Sequence, residues 1–235
     1  MRIAISPLYK WREFESKAQQ DSTFMAGFDT AWNHREFSDM VNERTYKQAM
    51  LKLAEKDSIQ LAINLVDSSV NLFINGVKIH QSNVKMFEQN QLLKKLPVLT
   101  YAKIFSLPLA VNSQVSTIVK EPVVVRQAPK DPEEAMQNAW QPDTLIQYPA
   151  FLLLRLNYGI DLIFEQDQHP GFYEKWIKFG FYKEIWKERV IKAITGFFKG
   201  KKQEYYPAIT LYLPADDIRV IYRALPQFAY TVIYY

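Results

Sequence analysis

Asp161 and Glu165 stand four residues apart in an apolar run, and Asp216 and Asp217 adjoin just after Pro214. Two carboxyl groups held at a suitable separation can cleave a glycosidic bond, one as acid and the other as base or nucleophile. Asp216 and Asp217 have a plainer reading, since acids in the first turn of a helix that Pro214 opens complement its dipole and free N–H groups. Asp161 and Glu165 share parity on one strand and read as a solvated edge. The three histidines, His34, His80 and His169, have no second histidine or carboxylate three or four residues after them, the i+3/i+4 spacing of a helical metal site. His80, opposite in parity to Val77 and Ile79, reads as a solvent-facing position of a strand ladder. No metal and no cofactor is expected.

The chain contains no cysteine, so disulfides, thiolate zinc sites and thiol nucleophiles are excluded together. Its seven glycines form no phosphate-cradling loop, and no serine sits in a G-x-S-x-G elbow. No catalytic residue is assigned on these grounds.

The remaining concentration of chemistry is basic and aromatic. The net charge of the whole chain is +4. Residues 171–203 hold eight lysines and Arg189 against Glu174, Glu184 and Glu188, so the basicity is local. Over 172–198, Phe172, Trp176, Phe179, Trp186, Val190, Ile194 and Phe197 recur at helical steps and predict one apolar stripe. Phe181, Tyr182 and Ile185 fall on another side. A helix apolar on two sides is most simply sandwiched in a core, its lysines reaching out to water. Its composition also suits an interfacial membrane helix. The face carrying Trp176, Phe179, Lys183, Trp186 and Lys187 is then the interaction surface. Nucleic acid ranks last, because the three glutamates are expected to break a positive track.

The elements that would position these residues form an α+β chain of 235 residues. Residues 1–57 read as an N-terminal helical segment, with helices over 10–19 and from a Ser38-Asp39 cap through Leu53. Residues 58–235 read as a mainly antiparallel β core. Ile59 to Val66 alternates, and Val70 to Ile74 meets Val77 to His80 at Asn75-Gly76, the strongest short hairpin signal. Further strands are expected over 100–107, 115–119, 123–126, 151–156 and 160–165, the last two joined through Asn157-Tyr158-Gly159. Pro129 to Asp143 reads as a surface excursion with a short helix over 133–139. The chain closes with a strand over 208–213, a helix over 215–224 and a strand over 230–235. The longest apolar run, Ala150 to Leu154, falls far short of the ~20 residues of a membrane span. The sequence therefore reads as soluble, and any export segment would lie upstream of it.

The meander Leu61-Ala62-Ile63-Asn64-Leu65-Val66 followed by Val70-Asn71-Leu72-Phe73-Ile74-Asn75-Gly76-Val77 resembles the opening of the L,D-transpeptidase (YkuD-type) catalytic domain. The stretch from Leu213 to Pro226, closed by Tyr230-Thr231-Val232-Ile233, resembles the helix and final strand that follow that family's active-site motif. The family's motif is Ser-His-Gly-Cys-Ile-Arg-Leu, whose thiolate attacks a peptidoglycan stem peptide with histidine as base. This chain reads Tyr205-Tyr206-Pro207-Ala208-Ile209-Thr210-Leu211 there. Ala208 falls at the position of the lost nucleophile, Tyr206 at the histidine and Thr210 at the arginine. The resemblance implies a pseudoenzyme of transpeptidase-like fold in the periplasm or cell envelope, binding peptidoglycan or a partner protein, with the 171–203 helix replacing the active-site segment.

Overall fold

The computed structural model describes residues 6–19, 35–120, 149–167, 171–198 and 205–235. His34, His169, the strand expected over 123–126, the excursion over 129–143 and its helix over 133–139 lie outside the described residues.

Asn75 and Gly76 both take positive φ, 48° and 77°, as a tight hairpin between right-twisted strands requires. They join β2 (Ser69–Ile74) to β3 (Val77–Asn83), and β1 (Gln60–Asn64) pairs antiparallel with β2 to complete the meander. β3 carries an extra residue opposite Leu72 and Phe73. Val77 and Ile79 are exposed while His80 is half-buried, the reverse of the expected parity.

Helix α1 (Ser6–Gln19) sends Phe14 into the core, and α2 (Arg35–Ala54) packs Ala49 and Leu53 against Ala62 and Val232. Ser38 and Asp39 lie inside α2, rather than capping it. After β3 the chain forms β4 (Met86–Gln89) and a single turn, α3 (Gln91–Lys94), capped by the Asn90 side chain. Next comes α4 (Val98–Phe105), which corrects the strand expected over 100–107. Pro97 supplies the fixed φ of a helix start, and Tyr101, Ile104 and Phe105 then share one buried face. Short apolar runs of this kind do not declare their period.

Strands β5 (Leu109–Ser116), β6 (Phe151–Leu156) and β7 (Asp161–Gln166) follow. The β6–β7 hairpin turns through Asn157–Gly159, with Tyr158 and Gly159 at positive φ. Helix α5 (Phe172–Phe198), 27 residues long, leads to β8 (Ala208–Leu213). Helix α6 (Ala215–Ala224) and β9 (Tyr230–Tyr234) end the fold.

The nine strands form one mixed sheet in the order β3-β2-β1-β9-β5-β6-β7-β8-β4, with β1–β9 and β7–β8 parallel. Its two outermost strands are consecutive in the chain, separated only by Val84 and Lys85. The Val84 N–H donates to Ser68 and the Lys85 N–H to Tyr212, so this short link is tied to both ends of the order. The sheet therefore wraps until its ends meet. On the opposite side β5 pairs first with β9 and then with β6, with an irregularity between Val111 and Ser113, and so passes from one layer to the other. Alternate residues line the interior, among them Leu61, Ile63, Leu72, Leu152, Leu154, Phe164, Ile209, Leu211 and Ile233, all essentially inaccessible.

Alanine at position 76 would have to hold φ near +77° with its Cβ about 3.1 Å from Ala54 Cβ. Urea unfolding of Gly76→Ala should show a loss of about 1–2 kcal/mol, whereas Asn75→Gly, which relaxes the same turn, should show none. Equal midpoints for wild type and Gly76→Ala would contradict this turn.

Candidate functional site

Helix α5 lies on the outer face of β6 and β7. Phe181 and Ile185 are buried there against Phe151, Leu153 and Ile163, with Ile177, Tyr182, Val115 and Ala208 at the margin. The Phe151 and Phe181 rings stack with centroids 5.7 Å apart. At 100° per residue this places the docked side of the helix on the 177/181/185 line. The stripe expected in the core is on the other side. Phe172, Trp176, Phe179 and Trp186 are 81%, 61%, 61% and 66% exposed, and Ile191 and Ile194 are also exposed. The core-packing reading of that stripe is thus overturned. Sequence periodicity finds both apolar lines but does not say which of them the sheet accepts.

Buried charge accompanies the docked side. Asp161, wholly inaccessible, accepts from Arg155 Nε at 3.0 Å and from Arg189 Nη2 at 2.5 Å. Arg155 also donates through Nη1 to Glu188 at 2.8 Å. The Arg155 and Arg189 guanidinium carbons lie 5.0 and 5.6 Å from the centre of the Tyr206 ring. One strand turn on, Glu165, 3% exposed, accepts from Lys178 and from the Tyr182 hydroxyl. Burial first, and then the Glu165 carboxylate, push the Tyr182 phenol far above its ordinary range, so it stays a neutral donor.

These contacts correct the solvated-edge reading of Asp161 and Glu165. Alternation of polar and apolar residues marks a water-facing side only where nothing covers it. Here α5 covers it and carries the matching cations. The same geometry argues against hydrolysis. Four residues of strand separate the two carboxyls by about 13 Å, beyond the roughly 5–9.5 Å of glycosidase pairs, and each is already neutralised. Asp216 and Asp217 occupy the first turn of α6, where Asp216 pairs with Arg219 in water and Asp217 lies 3.8 Å from His80 Nε2. His80 Nε2 is also 2.9 Å from Ser82 Oγ. Among the described residues no group of three or more His, Asp and Glu side chains is placed to hold a metal.

Ala208 opens β8, opposite Asp161 in the parallel ladder, and packs at the margin of the cluster beneath α5. Tyr206 is the ring beside the two arginines. Thr210, paired with Ile163 and Glu88, lies between β7 and β4. The structure thus sets Ala208 and Tyr206 near the helix, with Arg155 and Arg189 as neighbours that sequence reasoning missed. Their signal was available: Arg155 interrupts the longest apolar run, and Lys178 and Arg189 lie three helical turns apart.

The outward side of α5 has its own order. The Phe172, Trp176 and Phe179 rings meet edge to face at 6.3 Å spacings, forming one aromatic ridge. Lys183 and Lys187 fall on the same side by helical angle and Lys175 on its flank, and all three are exposed. None of the three is paired with a carboxylate among the described residues. The glutamates do not lie among them: Glu188 is bound to Arg155, and Glu174 accepts from the Gly171 N–H at the helix start. Glu184 sits at the border. Comparisons with family models, curated proteins and solved structures return no match.

Truncating Asp161 leaves the buried Nε of Arg155 without an acceptor and only Glu188, partly exposed, to balance its charge. Asp161→Ala should therefore destabilise the fold by about 3–5 kcal/mol in chemical denaturation. Glu165→Gln should cost about 1–2 kcal/mol, because Lys178 can turn into water. Asp216→Ala should leave the midpoint unchanged. Wild-type stability in Asp161→Ala would rule out the clamp.

Proposed function

We propose that this protein is a non-catalytic docking module whose working surface is the outward face of α5. The observation that carries the reading is the exposure of Trp176, Phe179 and Trp186 together with Lys183 and Lys187, on a helix whose opposite side is bound to the sheet. Large contiguous apolar patches are uncommon on surfaces that touch only water, and aromatic rings on a rigid support are the usual anchors of interfaces. A helix held by Phe181, Ile185 and two sets of buried charges presents those rings at little ordering cost on binding.

A transpeptidase-like scaffold without the thiol is compatible with this role. It is favoured by chain order: the β1–β3 meander comes first, β8, α6 and β9 come last, and Ala208 opens β8. On that proposal the protein works in the cell envelope as a pseudoenzyme, with peptidoglycan or an envelope protein within reach. On the same proposal helix α5, which packs beside Ala208, replaces the active-site segment. Retention on immobilised muropeptides would support the peptidoglycan half, and no retention would remove it.

Docking itself is tested without naming the occupant. In gentle, detergent-free extracts of the source cells that retain their membranes, the wild-type chain should run with the membranes or elute well above its 27.6 kDa mass. The Trp176→Ser/Phe179→Ser/Trp186→Ser variant should elute near that mass, with an unchanged circular dichroism spectrum. Wild type running free, or the variant running with it, would sink the reading.

A further inference from the structure

Resting on that docking reading, we infer that the occupant of the α5 face is the surface of an anionic lipid bilayer. The outward stripe extends from Phe172 to Ile194, about 33 Å at 1.5 Å per residue. Among the described residues it is the opposite side of the helix that packs on the sheet, and Phe172, Trp176, Phe179, Trp186 and Ile194 along the stripe are exposed. An apolar groove in a protein partner takes up the apolar face of a helix, and here Lys183 and Lys187 fall on that same side. One flank is already taken: Lys178 and Arg189, at nearly the same helical angle, belong to Glu165 and Asp161. What remains is a ridge suited to a flat, deformable surface.

The chemistry of the ridge is that of a membrane interface. Trp and Phe rings settle at the boundary between headgroups and acyl chains, and Val190 and Ile194 continue the apolar line beyond the aromatics. Lys175, Lys183 and Lys187 have four-carbon stems that let the ammonium groups rise to phosphate level while the rings go deeper. Charge selects among occupants. A second copy of this chain would bring the same lysines against themselves, so self-association through this face is opposed. Single-stranded nucleic acid would use the rings and lysines but gain nothing from Val190 and Ile194. An anionic bilayer satisfies both the positive charge and the aliphatic end. Among the described residues no helix is long and apolar enough to cross a membrane, so contact through α5 is interfacial.

The test is co-sedimentation of the purified full chain with vesicles of phosphatidylcholine and phosphatidylglycerol, read beside tryptophan emission. Wild type should bind these vesicles with a blue shift, bind phosphatidylcholine alone weakly, and lose binding as salt is raised. Lys175→Glu/Lys183→Glu/Lys187→Glu should weaken partition by roughly 100-fold or more, about fivefold for each lysine lost near the surface. Each aromatic ring removed from 176, 179 and 186 should cost about tenfold. All six positions are exposed, and unchanged thermal unfolding of each variant excludes a folding defect. Absence of vesicle binding, equal binding to neutral vesicles, or displacement by a single-stranded oligonucleotide would overturn the lipid assignment. If vesicles fail while the complex in cell extracts persists and needs the same rings, docking stands with a protein occupant. If both fail, the docking reading falls as well.

Discussion

Asp161 is a carboxylate with no access to water, held between the guanidinium groups of Arg155 and Arg189. One of those partners comes from β6 and the other from α5, so the pair is also the tie between sheet and helix. Burying such charges costs several kcal/mol per ion unless each finds a partner. The outer face of β7 is therefore tolerable only with α5 in place. Glu165 repeats the condition further along the strand with Lys178 and Tyr182. The apolar contacts of Phe181 and Ile185 hold the helix down, at about 1.5–3 kcal/mol for each fully buried side chain. The charges decide which way it faces.

That division separates two parts of the molecule. The interior of the wrapped sheet is apolar and is closed by backbone geometry: the β3–β4 link joins the two ends of the strand order, and β5 carries the sheet from one layer to the other. Helix α2 covers one outer face with Ala49 and Leu53, small and aliphatic residues without buried ionic partners. Helix α5 covers another with a charged and aromatic seam. A scaffold needing only cover would have been served by a second helix like α2. The added specificity on α5 acts on orientation, and orientation is what places Trp176 and Trp186 in water.

How much of this was legible in the sequence follows the range of each signal. Asn75-Gly76 acts over four residues, and the hairpin it predicts is present with both φ values positive. Pro214 and the two aspartates after it act within one helical turn, and α6 begins where they place it. The strand expected over 100–107 failed because an eight-residue apolar run fits either period, and Pro97 settled it as α4. Neither parallel pairing could be read, since β1 meets β9 across most of the chain. The surface site was half legible. Both apolar lines of α5 and the residues Trp176, Phe179, Lys183, Trp186 and Lys187 were visible as a pattern, but the side that docks depends on Asp161, Glu165 and Arg155 in strands far from it in sequence. Alternation alone made those acids look solvated, and the cations that bury them belong to another element.

Chain direction explains why the match is unambiguous. β7 runs from Asp161 to Glu165, α5 then returns antiparallel to it, and β8 runs parallel to β7 again. A returning helix must offer its early residues to the end of the strand and its late residues to the beginning. Lys178 meets Glu165 and Arg189 meets Asp161 in that order. The cations are eleven residues apart, about 16 Å along a helix, against about 13 Å between the acids along the strand. Those spans are close enough for flexible side chains to meet both at once. On the outward side Lys183 and Lys187 are one turn apart, about 6 Å, and could not reach both acids; Lys175 and Lys183, about 12 Å apart, have a suitable span but bring neither a guanidinium to Asp161 nor a phenol to Glu165. Rotating α5 to bury its tryptophans would therefore take the Arg189 guanidinium from Asp161 and the Tyr182 hydroxyl from Glu165. The aromatic ridge faces outward because the groups that satisfy the buried carboxylates lie on the other side of the helix.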